Sequence, residues 1–195
     1  MVYIPFMQQP VQNISHEEYL AFEEVSENKR EYYQGEIFAM SGASLDHAQI
    51  ITNITRATSS MRDGCRSFSN DLKVRIEYFD HTTYPDLVII CGAPEFYENR
   101  KDTITNPVVI FEVLSESTAN YDRGKKIESY RALDSLREYI LVDQYKVHVE
   151  RYRRLDDRPG HWDFEEFKSL DGAVEIESAG VKLNLNELYY LVSFE

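Results

Sequence analysis

The chain has 195 residues, 43% of them hydrophobic, and its formal net charge is −13 at pH 7. This hydrophobic content excludes a disordered chain, and the acidic balance argues against a protein that coats nucleic acid, although local basic clusters leave a basic groove open. No apolar run is long enough to cross a bilayer, and the first fifteen residues lack the pattern of a secretory signal. We therefore expect a single cytoplasmic domain over 1–195, without a membrane segment.

The N-terminal part of the chain contains local signals for two helices and a hairpin. Ser15 and Glu18 form a capping-box signature, and Gln34-Gly35 has the residue types of a tight turn. Further along, apolar residues recur at helical spacing. The predicted elements are an extended arm over 1–13, a helix over about 15–26, a hairpin over 31–40 and a helix from Ser44 or Asp46 to about Met61.

Apolar runs in the middle of the chain predict strands separated by polar turns. Residues 72–76 alternate apolar and basic side chains, which favours a strand with one face toward solvent or a ligand. Gly124 weakens a helix by roughly 1 kcal/mol relative to Ala, so the next helix begins either at Ser117 or Thr118 or near Gly124. The predicted elements are strands over 65–68, 72–76, 84–91 and 108–114, a turn over 80–83, a loop over 92–107 and this helix.

The C-terminal part predicts mostly antiparallel strands. Its predicted elements are strands over 138–143, 146–153 and 162–167, a turn over 156–160 and a last helical turn or two over 184–189. This order of helices and strands indicates an α+β (mixed α/β) domain, in which helices flank a central mixed sheet that continues into an antiparallel C-terminal extension.

The chain contains two cysteines, Cys65 and Cys91. So few cysteines fit free thiols in a reducing cytoplasm better than a disulfide framework, and no Cys/His cluster has the spacing of a zinc site. We therefore expect both thiols to be free.

Two carboxylates stand in or beside apolar strands. Glu112 lies among apolar neighbours, where a carboxylate is costly unless it has a cation or several hydrogen bonds. A buried salt bridge from Glu112 to Arg75 or Lys126 is the simpler explanation of Glu112, and Asp86 after Pro85 also fits a plain strand entry or a turn. If the two strands are neighbours, the acids converge, and Mg²⁺ is the natural ion for one or two carboxylates.

Further polar residues are candidates for the same site. Lys126 is placed to orient or deprotonate a water molecule, although Lys125 is a rival and most helix lysines are simply solvated. Glu31 is a third acid, and it either supports a second metal through water or pairs with Arg30. Two residues at the start of the second helix are placed to reach the cleft in a supporting role, namely His47 and Gln49.

Several short motifs follow one another along almost the whole chain. They are Arg30-Glu31, Gly35-Glu36, Ser44 to His47, Tyr84-Pro85-Asp86-Leu87-Val88, Phe111-Glu112-Val113-Leu114-Ser115, Ser117-Thr118, Tyr121-Asp122-Arg123-Gly124-Lys125-Lys126 with Tyr130, Glu138-Tyr139 and Val142-Asp143. In this combination the chain resembles the putative restriction endonuclease family of the PD-(D/E)XK nuclease superfamily. The resemblance implies a restriction endonuclease-like fold.

The resemblance also implies a set of catalytic residues. Asp86 and Glu112 match the metal ligands for Mg²⁺ or Mn²⁺, and the Val113 carbonyl would complete the inner shell. Glu31 matches the acid that many of these nucleases contribute from their N-terminal part.

The chain departs from the superfamily pattern at one position. The pattern expects a lysine two residues after the second acid, and this chain has Leu114 there. The family places a migrated lysine on the following helix, which Lys126 matches. Lys126 as a replacement for the strand lysine is therefore inferred from position alone.

These observations give a leading hypothesis and two rivals. The leading hypothesis is a Mg²⁺-dependent DNA endonuclease that acts as a homodimer, with the strands near 146–152 and 162–167 as the association face. The first rival is a catalytically inactive nuclease-fold protein that serves as a binding or assembly module, and the second is an enzyme acting on RNA or a nucleotide.

Overall fold

The computed structural model describes residues 13–40 and 42–194, so almost all of the predicted arm over 1–13 lies outside the described residues. The helices are α1 His16–Val25, α2 Leu45–Ala57, α3 Ala119–Tyr121, α4 Ile127–Tyr130 and α5 Leu185–Leu188. None of the helices in this part of the chain combines the length and apolarity needed to span a bilayer.

The strands of the described chain form three sheets. In chain order they are β1 Arg30–Tyr33, β2 Glu36–Ala39, β3 Cys65–Ser69, β4 Lys73–Ile76, β5 His81–Thr83, β6 Leu87–Cys91, β7 Thr103–Ile104, β8 Val109–Leu114, β9 Glu138–Asp143, β10 Val149–Arg154, β11 Trp162–Phe167, β12 Ala173–Ile176 and β13 Val181–Asn184.

The largest sheet has six strands in the order β11-β10-β9-β8-β6-β3. Only its central pair, β8 with β9, is parallel, and the other neighbours are antiparallel. A second sheet has the order β2-β1-β5-β4-β7, and β12 with β13 forms a separate hairpin. Mixed sheets flanked by helices confirm the predicted α+β class, and β10 with β11 supplies the antiparallel extension.

Both faces of the central strands β6, β8 and β9 are buried. Along β8, Phe111 packs on the face covered by α2, α5 and the β12–β13 hairpin, whereas Ile110 packs on the face covered by the α3–α4 segment and β4. A strand buried on both faces reads as a continuous apolar run, which is why this strand was predictable. Glu112 lies on the same face as Ile110, where it is a charged residue among apolar ones.

The local signals of the N-terminal part are confirmed. Ser15 and Glu18 form the predicted capping box at α1, and Ser44 caps α2. Gln34 and Gly35 adopt φ values of 48° and 87°, as the tight turn between β1 and β2 requires. The helical turn predicted near the C-terminus is present as α5.

The predicted turn over 80–83 is wrong. The chain turns earlier, through a 3₁₀ turn over Glu77–Phe79 that Asp80 ends in a left-handed conformation, and His81–Thr83 is strand β5, which pairs with both β1 and β4. The prediction that one face of β4 is turned toward solvent is also wrong. Lys73 and Arg75 are buried, where Asp102 lies 2.6 Å from Lys73 Nζ and Asp80 lies 2.6 Å from an Arg75 guanidinium nitrogen.

The prediction of free thiols is contradicted as well. The antiparallel register of β3 and β6 places Cys65 directly opposite Cys91, and the two are joined in a disulfide. Their separation of 26 residues conceals this pairing in the sequence.

Candidate active site

Neighbouring strands of the large sheet bring Asp86 and Glu112 together. Asp86 immediately precedes β6, Glu112 lies in β8, and the two strands are antiparallel partners. The Asp86 backbone N–H lies 3.4 Å from Glu112 Oε2, and the Val113 N–H donates to Asp86 Oδ2 at 2.7 Å. These backbone contacts hold both carboxylates in fixed orientations.

The Lys126 ammonium group lies between acids from three parts of the chain. Its Nζ is 3.0 Å from Glu31 Oε1, 3.0 Å from Glu112 Oε1 and 3.4 Å from Asp122 Oδ1. All four side chains are buried. The structure therefore brings Glu31, Glu112 and Lys126 into one cluster, adjacent to Asp86.

The helical segment after β8 decides which lysine points inward. It runs from α3 through a π-helical turn over 122–126 into α4, so Gly124 lies inside the segment and does not begin it. Lys126 is buried, whereas Lys125 is exposed with its Nζ 4.9 Å from the centre of the Tyr33 ring. Lys126 is thus the lysine that contacts the acids.

Burial and charge shift the pKa values of this cluster. Burial raises the pKa of Glu31 and raises that of Glu112 well above its usual value, and in both cases Lys126 opposes the shift. Burial alone would lower the pKa of Lys126, but Glu112, Glu31 and Asp122 outweigh it and raise this pKa well above its ordinary value. The lysine stays charged at neutral pH.

Hydroxyl and backbone groups complete the hydrogen bonding of the acids. The Tyr130 hydroxyl donates to Glu112 Oε1 at 3.0 Å and lies 2.9 Å from the Thr83 hydroxyl. The Tyr84 backbone N–H donates to Glu31 at 3.2 Å. The sequence did not assign roles to Asp122 or Tyr130, although their spacing of four residues on either side of Lys126 was a usable signal.

His47 lies at the solvent side of the cluster. Its Nε2 is 3.1 Å from Asp86 Oδ1, and both side chains are 13% exposed, compared with 4% for Glu112 and 7% for Lys126. His47 therefore contacts the site as expected, whereas Gln49 turns along α2 to hydrogen-bond Asn53.

Leu114 occupies the position where a lysine was expected, and its surroundings explain why. It is 2% exposed and packs in the apolar cluster with Ile110 and Tyr130. Its carbonyl accepts a hydrogen bond from Gln144, whose side-chain oxygen in turn accepts from Ser44 at 2.5 Å. The role of Gln144 in joining β8 to α2 was not predicted.

Of the salt bridges considered as simpler explanations for the acids, the one between Glu112 and Lys126 forms, whereas those from Arg75 to Glu112 and from Arg30 to Glu31 do not. Arg75 pairs with Asp80 and so does not reach Glu112. Arg30 lies 3.9 Å from Glu23 rather than next to Glu31. Lys126 is the cation of the cluster among the side chains described.

The donor atoms suit a hard divalent cation. The acids of the cluster outnumber its lysine, and Asp86 and Glu112 offer the carboxylate oxygens that Mg²⁺ prefers. Among the described side chains, no three His, Cys, Asp or Glu residues form a preassembled metal cage. A site with two carboxylates nevertheless fits Mg²⁺, which usually keeps several waters.

Fold and site together define a nuclease-like protein: a mixed sheet with two carboxylates on adjacent strands and a buried lysine. The chain belongs to the Uma2 family, described as putative restriction endonuclease, whose model matches residues 16–186.

Two relatives from Synechocystis sp. (strain ATCC 27184 / PCC 6803 / Kazusa) are similar along most of their lengths. Uncharacterized protein sll1609 is 35% identical over 161 residues, which cover 81% of this chain and 89% of that protein. Uncharacterized protein slr1290 is 34% identical over 189 residues, covering 95% and 96% respectively.

A solved structure shares the fold. A putative nuclease belonging to DUF820 from Anabaena variabilis aligns with a TM-score of 0.73 at 20% identity, covering 92% of this chain and 99% of that one. The fold assignment made from the motifs is thereby confirmed.

Proposed function

We propose that this chain is a metal-dependent endonuclease that hydrolyses phosphodiester bonds in DNA. The observation that carries the proposal is the pair Asp86 and Glu112, oriented by backbone N–H groups and adjacent to the buried Lys126. The family description and the nuclease-like fold support the same reaction class.

Asp86 and Glu112 would hold Mg²⁺ or Mn²⁺, with the Val113 carbonyl as a further oxygen ligand. When bound, the ion would activate a water molecule and offset the charge on the phosphate. Asp86 and His47 are the more exposed side chains of the site, so a phosphate would approach the carboxylates from their side.

Lys126 and Glu31 would set the charge at the reacting phosphate. The ammonium group of Lys126 is held by Glu31 on one side and Glu112 on the other, so its position is fixed before substrate arrives. A preoriented cation stabilises negative charge that develops in the transition state without reorganisation. Lys126 thereby takes the place of the strand lysine that Leu114 replaces.

Cleavage of plasmid DNA with Mg²⁺ or Mn²⁺ tests this function. Asp86→Asn and Glu112→Gln keep the size of each side chain, and we expect each to lower the cleavage rate at least about 100-fold. A wild-type protein that cuts no substrate faster than these two variants would refute the proposal. RNA and nucleotides belong in the substrate panel, since the same site could serve them.

One observation favours a second candidate, a binding or assembly module without catalysis. Lys126 already neutralises part of the charge at Glu112, and each oxygen of Asp86 and Glu112 has a protein donor within 3.4 Å. Calorimetric titration with Mg²⁺ discriminates the two. Binding that disappears in Asp86→Asn and Glu112→Gln supports the nuclease, and the absence of such binding supports the module.

A homodimer in the cytoplasm is part of the proposal. β11 is an edge strand of the large sheet, and Phe164 on it is 48% exposed beside Tyr152, which offers an apolar surface to a second copy. Light scattering coupled to size exclusion would give the mass of two chains. If the protein is a monomer at micromolar concentration, the homodimer part of the proposal is wrong.

A further inference from the structure

The side chain of Gln144 joins the end of β8 to the start of α2. Gln144 directly follows β9, and its side-chain N–H donates to the carbonyl of Leu114, the last residue of β8, at 2.9 Å. Its side-chain oxygen accepts from the Ser44 hydroxyl at 2.5 Å. One amide group thus bonds the strand of Glu112 on one side and the N-cap of α2 on the other.

Further hydrogen bonds lead from this N-cap to Asp86 and back to β8. Ser44 Oγ accepts from the His47 backbone N–H at 3.0 Å, and His47 Nε2 lies 3.1 Å from Asp86 Oδ1. Asp86 Oδ2 accepts from the N–H of Val113, the residue before Leu114 in β8. The hydrogen-bond network is therefore closed, and it holds both oxygens of Asp86.

The apolar packing of α2 begins beyond its first turn. The buried residues of this helix start at Ile50, three residues after His47. The first turn is held by hydrogen bonds. One comes from the C-terminal tail, where the Ser193 N–H donates to Asp46, and another comes from Gln144 through the helix cap. The location of the His47 side chain therefore depends on polar contacts, and Gln144 is the one that leads to the sheet.

The environment of Gln144 makes its amide difficult to replace. The side chain is 4% exposed, and both of its polar groups are bonded. A carboxylate of the same size has no N–H for the Leu114 carbonyl, and an apolar side chain has neither the donor nor the acceptor. Water has little access to compensate for a lost bond in a buried place. The link between β8 and α2 therefore requires this amide.

We propose that Gln144 is a positioning residue for the metal ligand Asp86. By fixing the cap of α2 it holds the His47 side chain against Asp86 Oδ1, and so determines how this carboxylate is turned toward a metal ion. Gln144 acts through Ser44 and His47 rather than by contact with the ion. This role rests on the proposed function. Groups that orient metal ligands typically contribute about 10–100-fold to metal affinity or activity.

Calorimetric titration of the full chain with Mg²⁺ tests this role. Gln144→Leu removes both bonds of the amide, and we expect it to bind Mg²⁺ at least about tenfold more weakly than wild type. Gln49→Leu is the matched control, because it removes an amide of α2 that bonds only along the helix, to Asn53, and it should bind like wild type. Ser44→Ala cuts the same network at an exposed residue and replaces Gln144→Leu if that variant does not fold.

A double-mutant cycle separates positioning from a general structural effect. His47→Ala should itself weaken Mg²⁺ binding, and adding Gln144→Leu to it should cause little further loss, because Gln144 acts through His47. A loss in Gln144→Leu that adds in full to that of His47→Ala would overturn the role. Wild-type affinity in Gln144→Leu, or an equal loss in Gln49→Leu, would overturn it as well.

Hydrogen exchange of the metal-free protein tests the first turn of α2 without any ion. In Gln144→Leu the His47 backbone N–H should exchange at least about tenfold faster than in wild type, while the Ile54 N–H in the body of the helix keeps its rate. Unchanged exchange at His47, or equal acceleration at Ile54, would reject the role. If the wild type binds no Mg²⁺, the proposed metal site fails, and this exchange measurement still decides whether Gln144 holds His47.

Discussion

Lys126 Nζ lies 3.0 Å from Glu112 Oε1, although the two residues are 14 positions apart in the chain. The strand that carries Glu112 and the helical segment that carries Lys126 thus meet at a buried ion pair. Removing one partner of such a pair is costly, because the remaining charge loses its compensation in a medium of low polarity.

Lys126→Met should therefore destabilise the protein by about 3–5 kcal/mol and abolish cleavage of DNA. Lys125→Met is the matched control, because its side chain is exposed and its ammonium group lies over the Tyr33 ring, away from the acids. Urea denaturation and plasmid cleavage report the two effects. If both variants lose stability and cleavage activity to the same extent, the effect comes from the positive charge of the helical segment in general and not from the buried pair.

Tyr130→Phe should lower both stability and activity. The substitution removes the hydroxyl that donates to Glu112 and contacts Thr83, which costs about 1–2 kcal/mol of unfolding free energy. Tyr139→Phe removes an equally buried hydroxyl whose acceptor is the Asp122 carbonyl. We expect a similar loss of stability there with a much smaller change in cleavage rate, measured on the same preparations. A cleavage rate that falls as far in the Tyr139 variant as in the Tyr130 variant would assign the effect to packing.

Stability should fall on acidification because of His81. Burial, followed by the charges of Lys126, Arg75 and Lys125, lowers the pKa of His81 to about 3, with Asp80 opposing. The pKa of His81 is lower in the folded chain than in the unfolded one. Above about pH 6.5 the imidazole is neutral in both states, so it does not lower the free energy of unfolding. The penalty to this free energy then grows as the pH falls toward 3.

Between pH 7 and pH 5 this single group should cost about 2 kcal/mol, and His81→Gln should remove that part of the pH dependence. Urea denaturation at the two pH values gives the difference. His161→Gln, at an exposed ring, is the control. Identical pH dependence in wild type and His81→Gln would show that other groups cause the acid sensitivity.

Reduction of the Cys65–Cys91 disulfide should destabilise the chain. A bridge that closes a loop of this length contributes about 3 kcal/mol by restricting the unfolded state. Dithiothreitol should lower the unfolding temperature of wild type and leave a Cys65→Ser/Cys91→Ser variant unchanged. Two thiols that react with iodoacetamide in unfolded, unreduced protein would contradict the bridge.

Local rules predicted local structure well, because their causes lie within a few residues. Ser15 with Glu18 and Gln34 with Gly35 determine a helix start and a turn by contacts inside a single turn. Strand β8 was predictable for a related reason, since burial on both faces leaves a continuous apolar run. The site residues came from motifs, and the structure brings them together, while their catalytic roles stay predictions.

The errors concern partners distant in sequence. Lys73 looked like a solvated residue because its acid, Asp102, follows 29 residues later. The pairing of Cys65 with Cys91 depends on strand register, which no short motif encodes. Asp122 was quoted within a motif but given no role, because its contact with Lys126 is seen only once the helical segment is placed.

The π-helical turn over 122–126 determines how far α3 is rotated about the helix axis relative to α4. One residue of an α-helix corresponds to about 100° of rotation. Asp122 and Lys126, four positions apart, would share a face of a regular α-helix as well, so their contact does not depend on the wide turn. The wide turn instead sets the rotation of α3 relative to α4, and with it the approach of the Tyr121 hydroxyl to the His81 ring of β5 at 2.9 Å.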